Sequence, residues 1–212
     1  MKIQLPENIK DITLAQYQRF EKLNEQLNEE ELSIRDYNKR KIDLFTGIPY
    51  HKVDNVSEKD LKEVMAQIDT ALEQDVEFKS VFTHNGKEFG MIPNLDEITA
   101  GEYFDLDKYG VDVETLHNLM AILFRPVTRS DGFGNYEIEP YVGTGKYADE
   151  MKNISMDYVS GVLVFFCHLS NELERSIQKS TVEAQAKDNK RQTILRNGNG
   201  TAQSMPLQKE TF

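Results

Sequence analysis

Residues 155–173, Ser-Met-Asp-Tyr-Val-Ser-Gly-Val-Leu-Val-Phe-Phe-Cys-His-Leu-Ser-Asn-Glu-Leu, are the most apolar stretch of this chain, and they constrain what the rest can fold around. Val159, Val162, Leu163, Phe166, Leu169 and Leu173 recur every three or four residues, which places them on one stripe of a helix. Val164, Phe165 and Cys167 fill much of the opposite side, so the spacing predicts a helix buried nearly all round. Ser155 is a good N-cap, and Asp157 falls in the first turn, where the helix dipole favours a negative charge. The unbroken apolar run Gly161 to Cys167 is far shorter than the roughly 20 residues that cross a bilayer, so a core helix is expected and no membrane partner. It continues in polar form, with Ile177 and Val182, to about Lys187.

The preceding residues supply elements to pack around that helix. Residues 1–12 read as an extended N-terminal arm. Thr13-Leu-Ala-Gln16 has the capping-box pattern, and Leu14, Tyr17, Phe20, Leu23 and Leu27 step along one helical face. Ser33-Ile-Arg-Asp36 opens a second helix, with Gly47 at its C-terminal cap and Pro49 beyond. An antiparallel pair joined by a short acidic turn follows. Ser57-Glu-Lys-Asp60 starts a third helix with a stripe of Leu61, Val64, Met65, Ile68 and Leu72.

Phe78 to Ile92 reads as a β-hairpin about Asn85-Gly86, the dipeptide that a type I′ turn prefers. A two-residue loop sets Phe82 opposite Phe89 and Ser80 opposite Met91, leaving Phe78, Phe82, Phe89 and Met91 on one face. Thr99-Ala-Gly-Glu102 caps a short helix closed by Gly110. Asp112 to Thr115 caps another, with Leu116, Leu119, Met120, Leu123 and Phe124 buried and Pro126 ending it. Residues 127–142 alternate around a Gly- and Asn-rich centre and read as a second hairpin or a long loop; Gly143-Thr-Gly145 reads as a mobile link. The expected fold is therefore mainly α with small β-hairpins: one helical domain over 13–187, bundled around the central helix 155–187.

From Asp188 to Phe212 the apolar periodicity stops. Such a segment cannot bury enough surface to fold alone, so an extended C-terminal tail is expected. Its isolated apolar residues Ile194, Leu195, Met205, Leu207 and Phe212 are candidate anchors for a partner. Lys187, Lys190, Arg191 and Arg196 add a small basic cluster suited to a phosphate or an acidic neighbour.

Length and charge narrow the function. The 212 residues carry a formal net charge of −11, which argues against an open surface for nucleic acid and suits a protein that stays dispersed. The single cysteine, Cys167, permits no intramolecular disulfide, and the N-terminus lacks the apolar core of a signal peptide.

No catalytic constellation emerges. The histidines His51, His84, His117 and His168 are never three or four residues apart, so the helical zinc-hydrolase pattern is absent, and no metal or cofactor is expected. Adjacent helical residues Cys167 and His168 point in different directions and do not readily share a proton. Gly143-Thr-Gly-Lys146 lacks the earlier glycine and the following Ser or Thr of a phosphate loop; Asp105-Leu-Asp107 lacks the bidentate glutamate of a calcium loop, since Leu116 stands there. Asp96, Glu97, Glu102, Asp105 and Asp107 are the one acidic cluster in which a carboxylate hydrolase could reside, provided that they converge and one pKa is raised.

Three stretches carry a resemblance. They are Glu88 through Tyr109, Leu116-His-Asn-Leu-Met-Ala-Ile-Leu-Phe-Arg-Pro126, and Tyr141-Val-Gly-Thr-Gly followed by Met151-Lys and the Val-Leu-Val-Phe-Phe helix. Their order is similar to that of small late structural proteins of tailed bacteriophages of Bacteroidetes, the crAss-like phages included, over most of residues 10–175 and not the tail. The resemblance implies a virion protein made in the bacterial host cytoplasm: a homo-oligomeric ring subunit of the portal, head–tail connector or tail barrel. With no catalytic constellation in the residues, no enzymatic activity is expected. A tail-assembly chaperone or other factor that leaves the finished particle is the alternative, and a carboxylate-based hydrolase is the third.

Overall fold

The computed structural model describes residues 5–110, 112–131 and 133–197, with side chains in the last helix given to Val182 and at Gln185. The chain divides into two units, Met1–Phe165 and Phe166–Phe212. The first holds helices α1 (Leu14–Asn28), α2 (Ile34–Thr46), α3 (Tyr50–Val53), α4 (Glu58–Leu72), α5 (Ala100–Tyr109), α6 (Leu116–Leu123) and α7 (Ala148–Met151), with one small sheet. Helix α8 is assigned to Met156–Asn197 and passes from the first unit into the second. The fold is mainly α with two β-hairpins.

The helix starts follow from local chemistry. Thr13 and Thr99 form full capping boxes with Gln16 and Glu102, and Ser33 and Ser57 accept from the amides three residues on. Gly47 closes α2 with φ 70°, a left-handed conformation that glycine adopts without a Cβ penalty.

Both hairpins form, and they join. Strands β1 (Val81–His84), β2 (Lys87–Met91), β3 (Phe124–Ser130) and β4 (Tyr136–Ile138) make one antiparallel sheet in that order. Asn85 and Gly86 have φ 49° and 76°, as a type I′ turn requires, and Phe82 pairs with Phe89. The central pairing sets Phe89 against Pro126 and Met91 against Phe124. Phe82 stacks on Tyr158 of α8 with centroids 4.5 Å apart and tilts against Phe124 at 5.1 Å, so the sheet and the start of α8 share one aromatic core.

Several expectations change. Phe124 is buried as expected, but in a strand: Pro126 drives Arg125 toward extended backbone and has no N–H to donate, so the helix cannot run on and ends at Leu123. The segment before Thr13 is no free arm from residue 5 onward. Ile9 and Ile12 are buried, the Leu14 amide donates to the Ile154 carbonyl at 3.0 Å, and the Met156 amide to the Ile12 carbonyl at 2.8 Å. Ser155, expected to cap α8, instead donates its hydroxyl to the Lys10 carbonyl at 2.9 Å. The expected mobile link is a 3-10 turn, Thr144–Lys146, followed by α7, with Tyr147 and Met151 buried one turn apart.

Helix α8 is buried only over its first turns. Met156, Val159 and Val162 are buried, and Phe165 stacks on Phe78 with centroids 4.5 Å apart. Val164, Cys167 and Leu169 are exposed, and Leu173 and Ile177 are 61% and 57% exposed. The helix also continues past Lys187 to Asn197, where an extended tail was expected; residues 198–212 lie outside the described part.

Candidate functional site

Catalytic sites are built from buried polar groups with perturbed titration. Arg125, at the start of β3, is the hub. Its Nη1 lies 2.5 Å from Glu102 Oε1, its Nε donates to the Glu139 carbonyl at 2.7 Å, and Nη1 also reaches the Ile122 carbonyl at 3.1 Å. The guanidinium sits 5.5 Å from the Tyr141 ring centroid, and the Tyr141 hydroxyl donates to Asp105. Glu102 Oε2 accepts from the Thr99 amide and hydroxyl at 2.6 and 2.7 Å. Burial pushes the Glu102 carboxyl up, but the Thr99 hydrogen bonds and the Arg125 guanidinium outweigh it and hold it below the usual range. Burial and the Asp105 carboxylate both push the Tyr141 phenol up.

This arrangement ties α5 to the sheet. The acidic cluster divides accordingly: Glu102 is buried and paired, Asp105 is held by Tyr141, and Asp96, Glu97 and Asp107 are exposed. A carboxylate hydrolase requires converging groups with a raised pKa, and Glu102 moves the other way.

The other buried charges are also paired. Lys39 donates to Asp54 at 2.7 Å, Lys41 pairs with Asp69, and Lys79 donates to Asp157 at 2.9 Å. Asp157 does fall in the first turn of α8, and its Oδ1 has no partner. Glu139 Oε2 takes both Lys146 Nζ and the Tyr147 hydroxyl at 2.6 Å, which lowers the Glu139 pKa.

The histidines lie apart. His117 exchanges a hydrogen bond with Gln18 at 3.1 Å, and burial lowers its pKa. His84 contacts Asn85 at the hairpin turn, and His168 is exposed beside the exposed Cys167, where a buried thiol was expected. Among the described residues no group of three or more His, Cys, Asp or Glu is placed to hold a metal ion, and no helix is long and apolar enough to cross a membrane.

The distinctive features are on the surface. Tyr103 and Phe104 on α5 are 58% and 68% exposed, edge to face with centroids 6.0 Å apart. In the second unit, Leu169, Leu173 and Ile177 form an exposed apolar stripe at helical spacing. A groove of about 540 Å³ runs between α1 and α2, lined by Arg19, Lys22 and Arg40 with Asp43, over Leu23 and Leu44. Of the tail anchors expected from the sequence, Ile194 and Leu195 fall within α8, their side chains outside the described part, as are Met205, Leu207 and Phe212 altogether. The basic positions Lys187, Lys190, Arg191 and Arg196 also fall within α8. The sequence places Tyr103 and Phe104 with Leu106 on the short helix without marking the two rings as a surface pair. Its signal was two large aromatics beside each other on a short helix, where only one can face the core.

No protein-family model matches the chain, and no curated protein and no solved structure matches it.

Proposed function

We propose that this chain is a structural subunit of a tailed-bacteriophage particle, a ring protein of the portal, head–tail connector or tail barrel that joins neighbouring copies around the DNA channel. The observation that carries it is how side chains are used. The buried charges Lys39, Lys41, Glu102, Arg125 and Asp157 each pair with an opposite charge that holds elements together, while large apolar side chains face outward on α5 and α8. Exposed apolar groups rimmed by polar ones mark surfaces that bind other proteins. The resemblance in residues 10–175 gives the class of assembly, and closed rings bury such faces between copies. A net charge of −11 lets an acidic channel wall pass DNA without adhesion. The tail anchors Ile194, Leu195, Met205, Leu207 and Phe212 would clasp an adjacent subunit.

An assembly factor, such as a tail chaperone, uses the same surfaces on an unassembled partner. Mass spectrometry of purified particles separates the two, and electron microscopy of the purified protein looks for rings. The ring reading expects the chain in mature particles; a strictly monomeric protein missing from them overturns it.

A further inference from the structure

The α1–α2 groove and the α5 ridge are opposite in character. The groove carries three cations, Arg19, Lys22 and Arg40, against one carboxylate, Asp43, in a chain with 36 acidic and 25 basic residues. Asp43 is engaged by the Tyr50 amide at 3.2 Å, and Lys22 reaches Glu114 only at 3.9 Å. Arg19 and Arg40 make no hydrogen bond or ion pair among the described residues; Arg40 lends its field to Asp36, one turn away, and to the Tyr50 hydroxyl. Leu23 and Leu44 give the groove an apolar floor.

The ridge is the complement. Tyr103 and Phe104 project from α5, Asp107 lies one turn further on, and Asp96 and Glu97 precede the helix in a 3-10 turn; all are exposed. Its one cation, Lys108, donates to the Tyr109 hydroxyl at 3.2 Å.

We infer that a second copy of this chain lays its α5 ridge, Tyr103 and Phe104 flanked by Asp96, Glu97 and Asp107, into the cationic groove between α1 and α2. The rings would cover Leu23 and Leu44, and the carboxylates would meet Arg19 and Arg40, whose planar forks suit bidentate pairing. Both surfaces belong to the same compact unit, in which both stand exposed, so the contact needs another molecule. A separate acidic partner would fill the groove and leave the aromatic ridge uncovered. Nucleic acid would meet the repulsion of a chain of charge −11. The inference deepens the ring reading by naming where neighbours meet, and it rests on that reading in taking self-association to be the protein's work.

The test is sedimentation velocity of the full chain and two variants at exposed positions, R19E/R40E and D96K/D107K, each checked for an unchanged melting temperature. Each variant alone should self-associate roughly tenfold or more weakly than the wild type. An equimolar mixture should recover association, because a reversed groove then meets a reversed ridge and the two native surfaces meet each other. Variants that associate like the wild type, or a mixture no better than either alone, overturn the inference. If micrographs still show rings in those cases, the ring reading stands and only this contact falls. A wild type that stays monomeric also overturns the contact, and mass spectrometry of particles then decides the virion reading separately.

Discussion

Arg125 Nη1 and Glu102 Oε1 lie 2.5 Å apart, with side chains 9% and 4% exposed, and this pair joins the first turn of α5 to the first residues of β3. Glu102 is also the capping-box residue of α5, so one carboxylate both starts a helix and neutralises a buried guanidinium. Each partner depends on the other, because either charge alone in that place would lack compensation.

Glu102→Gln should therefore destabilise the protein by about 3 kcal/mol, since it leaves Arg125 buried without its counter-charge. The double variant Glu102→Leu/Arg125→Met should lie closer to wild type than Glu102→Gln. Urea unfolding of the three proteins gives the comparison, and near-wild-type stability of Glu102→Gln would sink the claim.

The same pair predicts an acid limb. A carboxyl whose folded pKa is depressed contributes stability that is present above its unfolded value, near 4.3, and is lost as pH falls through the folded value. Wild-type stability should decline below about pH 4.5, and that slope should be shallower in Glu102→Gln. Thermal melts across the acid range measure both.

Gly161 tests how closely α8 approaches the chain before β1. A Cβ there would stand 2.9 Å from the Glu77 carbonyl oxygen and 3.1 Å from Phe78 Cα, both backbone atoms that cannot turn aside. Gly161→Ala gains about 1 kcal/mol of helix propensity and should still lower the melting temperature, because the backbone clash costs more, on the order of 1–3 kcal/mol. A raised melting temperature would contradict the close approach.

Leu173 distinguishes a covered helix from an uncovered one. A core leucine loses about 2–5 kcal/mol on truncation. At 61% exposure, Leu173→Ser should change stability by less than about 0.5 kcal/mol, read by urea unfolding of protein dilute enough to be monomeric.

Cys167 gives a chemical check of the same surface. As the chain's single cysteine, and an exposed one, it should react with a thiol reagent in the native protein as completely as in urea. Protection in native buffer at low concentration would place the thiol inside.

Much of the fold was legible because its signals are local. Thr13, Ser33, Ser57 and Thr99 satisfy helix amides three residues away, and Asn85-Gly86 needs only its own positive φ to reverse the chain. These groups interact within a turn, so a short window contains both partners. The proposed docking surfaces were less legible, since Arg19 and Arg40 come to line one groove only when α1 packs on α2.

By itself, then, the sequence determined where the capped helices begin, where the first hairpin turns, and which residues of each element are apolar. Tertiary structure alone decided that β2 pairs with β3 to merge the hairpins, that Phe124 joins a strand, and that the segment around Ile9 and Ile12 is packed inside. It also decided that Leu169, Leu173 and Ile177 stand uncovered. Periodicity records which side of a helix avoids water, whereas burial depends on a second element arriving from far along the chain, or from another molecule.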